Sequence, residues 1–206
     1  SAGGGTSLEV APKFAEVGTV VIDNSSAWRM DPTKKLVVPE INANVLTKED
    51  KIIANPNCST IQSVVPLKVL QDAYGLSRVA YTTYQAVSGS GVKGKRDLSE
   101  GANGKAPEAY PHPIYNNVLP HIDLFLENGY TKEEQKMIDE TRKILNDKDL
   151  KVTATCVRVP VQDSHSVEMD VTLNQDTTVE AIQELFDKDD RVVLVDNPAK
   201  NEWDCM

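Results

Sequence analysis

From Leu8 to Gly75 the chain alternates stretches of helical periodicity with short β-branched runs, and that alternation restricts the fold more than any other feature. Leu8, Ala11, Phe14 and Ala15 fall at helical spacing, and Gly18 suits a helix stop. TVVIDN (Thr19 to Asn24) reads as a buried strand, and KLVVPEIN (Lys35 to Asn42) as another extended piece. KIIANPN (Lys51 to Asn57) reads as a strand that stops at Pro56. CSTIQSVVPLKVLQDAYG follows as a helix ended by Gly75; Pro66 inside it removes one backbone bond and is expected to kink it. With the glycine loop SAGGGTS in front, the order loop, helix, strand is that of a doubly wound α/β sheet.

After Gly75 the pattern changes. RVAYTTYQAV (Arg78 to Val87) alternates like a strand with one covered face. Ser88 to about Pro120 is rich in Gly and Pro and reads as loop. TKEEQKMIDETRKILN (Thr131 to Asn146) is the clearest helix: Thr131 can cap it, Glu134 stands three residues on, and Met137, Ile138, Ile144 and Leu145 form an apolar face. KVTATCVRVPVQ and SVEMDVTLN read as strands, TVEAIQELFDKD as a helix and RVVLVDN as a last strand. Helices and strands here alternate without tight βαβ repetition, which predicts an α+β domain after the doubly wound part.

The 206 residues carry a net charge of −9, with 40% hydrophobic and 26% charged residues. That composition is globular rather than disordered, and such a surface repels phosphate backbones, which argues against nucleic-acid binding. No apolar stretch approaches the roughly 18 residues of a membrane span. The 3 cysteines, Cys58, Cys156 and Cys205, have no CxxC pairing, so neither a disulfide framework nor a metal site is expected, and a reducing cytoplasm is the natural setting. The chain opens at Ser1 on a loop and closes at Met206 on a polar stretch, so it reads as an internal piece of a longer protein.

NPNCSTIQ puts the Cys58 thiol where a strand hands over to a helix. First-turn amides have no partner within a helix, and the macrodipole adds partial positive charge. Both favour a thiolate nucleophile, and the same amides can hold an oxyanion on an attacked carbonyl. A small buried cysteine at a packed junction is the competing account.

NPNCSTIQ resembles the active-site motif of the aspartate-semialdehyde dehydrogenase family. SAGGGTS, VVIDNSSAWRMDP, VVPEIN, YQAVSGSG, LPHID, NGYTKEEQKM with ETRKIL, and CVRVPV followed by HS resemble that family too, in the same order and over nearly the whole chain. The resemblance implies part of a Rossmann-like NADP-binding domain (1–57) and a catalytic and dimerisation α+β domain (58–206) of the glyceraldehyde-phosphate-dehydrogenase-like type. It implies NADPH-dependent reduction of L-aspartyl 4-phosphate to L-aspartate 4-semialdehyde in amino-acid biosynthesis, by a cytoplasmic homodimer or homotetramer. The family's dinucleotide fingerprint and last helix have no counterpart between Ser1 and Met206.

Residue by residue, the resemblance makes Cys58 the nucleophile, His165 in PVQDSHS the acid/base, and Gln85 an orienting side chain near the thiol. Arg158 in CVRVPV matches the arginine that forks onto the substrate carboxylate, and Glu133 matches the carboxylate that holds its ammonium. Lys136, Arg29 and Asn57 match phosphate contacts. Ser1, Ala2 and Gly3 resemble the loop that passes the dinucleotide, and Ser88 and Gly89 resemble residues beside the nicotinamide. Without the resemblance, Glu133 and Lys136 read as a surface i, i+3 pair, Arg29 as a solvated loop charge, and His112 and His121 as structural. Gly89, Gly91 and Gly94 also satisfy G-x-G-x-x-G, but no second strand or ribose-binding acid follows about twenty residues on, so the match reads as a decoy. The competing readings are a related acyl-phosphate reductase, such as N-acetyl-glutamyl-phosphate reductase or glyceraldehyde-phosphate dehydrogenase, a cysteine hydrolase using Cys58 and His165, and an inactive fragment.

Overall fold

The computed structural model describes residues 3–203. The chain forms two compact units. The first takes in residues up to Ser77, Lys136–Lys151 and Leu173–Val193; the second takes in Arg78–Gln135, Val152–Thr172 and the chain from Leu194. The architecture mixes α/β and α+β elements, as the alternation predicts.

In the first unit, helix α1 (Gly4–Glu16) leads to strand β1 (Val21–Asp23). Its first turn takes up glycines that the sequence reading leaves in a loop, and Gly18 follows its end at φ 86°, where a side chain would be strained. Strands β2 (Lys35–Leu36) and β3 (Ile52–Ala54) complete a parallel sheet in the order β1-β3-β2, with Val21 opposite Ile52 and Leu36 opposite Ala54. The extended reading of KLVVPEIN holds only for its first half. Pro39 opens a helical turn, α2 (Pro39–Asn42), because proline's fixed φ suits a first helical position.

Helix α3 (Cys58–Tyr74) runs without interruption past Pro66. Its stop, Gly75, has φ 68°, and a Cβ there would meet Asn174 Nδ2 at 2.7 Å. Val64, Leu67, Val69 and Leu70 of α3 are buried, on more than one of its faces, and α6 (Val179–Asp187), capped by Thr178, packs against it.

Strand β4 (Leu76–Gln85) lies between β5 (Lys151–Arg158) and β6 (His165–Leu173). Helix α4 (Gly91–Gly101) occupies the stretch expected to be loop. Its glycines conceal it: Gly94 is there because a Cβ would meet Tyr110 Oη and the Val87 carbonyl at 2.6 Å each, and Asp97 turns inward to accept the amides of Glu108 and Ala109. Val87, Ile114 and Leu119 form the core beside it.

Helix α5 (Lys132–Ile144) begins with the expected reciprocal cap: Thr131 Oγ1 accepts the Glu134 amide, and the Glu134 carboxylate accepts the Thr131 amide. Its apolar residues Met137, Ile138 and Ile144 are buried, as is Leu145 just beyond its end. RVVLVDN forms no strand apart from Asp196–Asn197 (β7), which pairs with Glu202–Trp203 (β8); Val193 and Val195 are exposed, so β propensity there meets no partner.

Candidate active site

Cys58 is the first residue of α3, separated from β3 by Asn55, Pro56 and Asn57. Asn57 caps the helix: its Oδ1 accepts the Ser59 amide at 2.9 Å and the Thr60 amide at 3.3 Å. The cap fixes the backbone on both sides of the thiol, and Cys58 itself is exposed. Cys156 is buried in β5 and, like Cys58, is not in a disulfide.

Arg29 lies in the same unit and is buried, against the expectation of a solvated charge from the residues alone. Its Nε donates to the Asn55 carbonyl, Nη2 to the Asn24 carbonyl and Nη1 to Glu140 Oε1 at 3.1 Å. Glu140, which the sequence reading leaves among the polar residues of α5, also accepts the Asn57 amide at 2.6 Å through Oε2. Lys136 is half-buried on the same helix. One turn past Glu140, Lys143 donates to the carbonyls of Arg29, Asp31 and Lys34, and its burial lowers the pKa of its ammonium. Both lie in ETRKIL, a segment that resembles the family, but no role attaches to either there; their helical spacing from Lys136 is the signal that could have found them.

The second unit gathers Gln85, Ser88, Gly89, Glu133, Arg158 and His165. Gln85 ends β4, is buried, and donates through Nε2 to Glu133 Oε1 at 3.1 Å, while its own Oε1 accepts from Thr83. The presumed surface partner Glu133 is therefore buried. Arg158 is buried at the end of β5, with Nη1 donating to the Ala86 carbonyl at 2.6 Å and its guanidinium 5.9 Å from the Tyr110 ring. Its Nε is buried without an acceptor.

His165 opens β6. Its Nδ1 lies 3.1 Å from the Ala86 amide and 2.8 Å from the Ser164 carbonyl. Ser164 adopts φ 75°, the left-handed region that a serine rarely enters. Burial is the largest influence on the imidazole and lowers its pKa below 6.5; the nearby Arg158 charge acts the same way, while the Ser164 carbonyl and Glu133 oppose it. Gly89 brings the arginine and histidine to one point: a Cβ there would stand 3.0 Å from Arg158 Nη1 and 3.5 Å from His165 Nε2. Ser88 is held through its amide to the Gln162 carbonyl. His121 stacks on Phe125 at 4.6 Å, in keeping with a packing role.

On the cofactor side, Ser1 and Ala2 lie outside the described residues. Gly3 precedes α1 with φ 90° and open space where a Cβ would stand, and α1 has no side-chain cap. Gly3, Thr6, Ser7, Asp23 and Asn24 help to line a cavity of about 320 Å³. A glycine before an uncapped helix fits the close backbone approach of a dinucleotide phosphate. No described helix is long and apolar enough to cross a membrane.

Two family models match the chain: the semialdehyde dehydrogenase NAD binding domain over residues 1–49, and the semialdehyde dehydrogenase dimerisation domain over residues 67–203. An aspartate-semialdehyde dehydrogenase of Aquifex aeolicus is 51% identical over 98% of this chain and 62% of its own length. The chain thus spans somewhat under two thirds of this relative. The crystal structure of aspartate semialdehyde dehydrogenase II complexed with ASA from Vibrio cholerae superposes with a TM-score of 0.88 at 44% identity, over 92% of this chain and 59% of that one. The aspartate semialdehyde dehydrogenase with NADP from Candida albicans gives 0.68 at 26% identity, over 90% and 53%. With both domain models matched in order, and the second alone covering most of its length, the chain belongs to the semialdehyde dehydrogenase family.

Proposed function

We propose that this chain carries the acyl-transfer machinery for NADPH-dependent reductive dephosphorylation of L-aspartyl 4-phosphate to L-aspartate 4-semialdehyde. Residues 1–57 belong to the nucleotide domain and 58–206 to the catalytic and dimerisation domain of a cytoplasmic homodimer or homotetramer. The observation that carries the reading is the exposed Cys58 thiol on the first residue of a long capped helix.

The Cys58 thiolate attacks the acyl carbon, the carbon–oxygen bond to phosphate breaks, and inorganic phosphate leaves. Arg29, Lys136 and Asn57 hold that phosphate; after its contacts within the protein, the Arg29 guanidinium still has one N–H on each Nη nitrogen. Arg158 receives the substrate α-carboxylate, and its buried Nε without an acceptor is the support for that role. Glu133 holds the substrate ammonium, with Gln85 keeping the carboxylate in place. Gly3, Ser88 and Gly89 would contribute to holding the nucleotide, and NADPH would supply the hydride that reduces the acyl carbon. His165, whose pKa burial lowers, takes the thiol proton and returns a proton when the carbon–sulfur bond breaks.

The test is phosphate-dependent reduction of NADP by aspartate semialdehyde, with acyl labelling of Cys58 followed by peptide mass spectrometry. Wild type should acquire the label at Cys58, and Cys58→Ala should lose both label and turnover with its thermal unfolding unchanged. Turnover persisting in Cys58→Ala rejects the nucleophile.

A further inference from the structure

Lys136, Glu140 and Lys143 lie on one stripe of α5, at i, i+4 and i+7. Glu140 is 1% exposed. A carboxylate so far from water is stable only if its lone pairs are met, and here they are met by two different segments. Oε1 takes the Arg29 guanidinium and Oε2 takes the Asn57 amide. A structural ion pair needs only the first of these contacts. The second places a negative charge on the peptide that leads into Cys58. Lys143 adds a grip on the same Arg29 loop through three backbone carbonyls.

We propose that Glu140 is a positioning residue for the nucleophile: its one carboxylate sets the geometry between Arg29 and the peptide before Cys58, and balances the Arg29 charge beside the start of α3. The proposal rests on the roles of Cys58 and Arg29 given above. Charged groups in this cluster of the same unit include Arg29, paired with Glu140, Lys136 one turn before Glu140 on α5, and Lys143, which feels the charges of Asp31, Lys35 and Glu140.

The experiment is the pH profile of Cys58 alkylation by iodoacetamide in the full chain, read on the Cys58 peptide, with and without inorganic phosphate. Buried Cys156 is the internal control, because it reacts only if the fold opens. In Glu140→Gln the Arg29 charge loses its counter-ion, so the alkylation midpoint should fall by about one pH unit while Cys156 stays protected. Glu140→Asp keeps the charge but is one methylene shorter and must release one partner. It should weaken phosphate protection of Cys58 about tenfold, a loss of roughly 1.4 kcal/mol, or move the midpoint. If Glu140→Gln exposes Cys156, the aspartate variant decides. Unchanged midpoint and unchanged protection, with only a lower melting temperature, overturn the proposal and leave Glu140 structural. Absence of phosphate protection in wild type instead rejects the Arg29 role, and the midpoint shift still judges Glu140.

Discussion

Arg29 and Arg158 are both buried, 8% and 5% exposed, one in the turn after β1 and the other at the end of β5, yet the two units use them differently. Arg29 donates from all three of its nitrogens to protein acceptors, one of them a buried carboxylate. Arg158 donates from Nη1 alone, has an aromatic ring beside it and keeps Nε unmet. A guanidinium with its own counter-ion is part of the scaffold and can offer only its remaining N–H groups. One held without a carboxylate keeps its charge and a spare donor uncompensated by the protein. The resemblance implies a substrate contact for both; their hydrogen bonds within the protein differ.

The contrast can be broken most directly by removing each charge. Arg29→Met strands the Glu140 carboxylate and should cost about 3–5 kcal/mol in urea unfolding. Arg158→Met removes an unmet donor and should change stability by no more than about 1 kcal/mol. Equal losses in the two variants would erase the distinction. Gly89→Ala sharpens the second half: the added methyl presses on Arg158 Nη1 and His165, so affinity for aspartate semialdehyde should fall about tenfold by calorimetry, with little change in melting. The smallest effect is in pH. Because burial lowers the His165 pKa, the unfolded chain binds the proton first as pH drops through 6.5, so that contribution weakens stability from there down to the folded pKa. Above 6.5 both states are neutral. Urea midpoints from pH 8 to 5 should therefore fall less steeply in His165→Asn than in wild type.

Much of this was legible in the sequence. The strand-to-helix step at Cys58 follows from Pro56, Asn57 and Gly75, whose local chemistry dictates the backbone. The α5 cap follows from Thr131 and Glu134 for the same reason. Helix α4 did not, because Gly91, Gly94 and Gly101 lower helix propensity and the space that demands Gly94 is created by Tyr110, distant in sequence. Glu140 was equally hidden. On a helical wheel it resembles any solvated acid, and only the arrival of Arg29 and the Asn57 amide makes its burial tolerable. RVVLVDN shows the opposite failure, strong β propensity without a neighbouring edge to pair with.

Ser164's backbone carries a cost of order 1 kcal/mol for its left-handed turn. In return, the His165 ring nitrogen distant from Gly89 meets a donor in the Ala86 amide and an acceptor in its own preceding carbonyl. Either neutral tautomer is accommodated there with no rotation of the ring. The opposite nitrogen can accordingly present a lone pair at one moment and a proton at another while its position stays the same. In the proposed reaction, a single imidazole would then serve successive bond-making and bond-breaking events as a stationary relay.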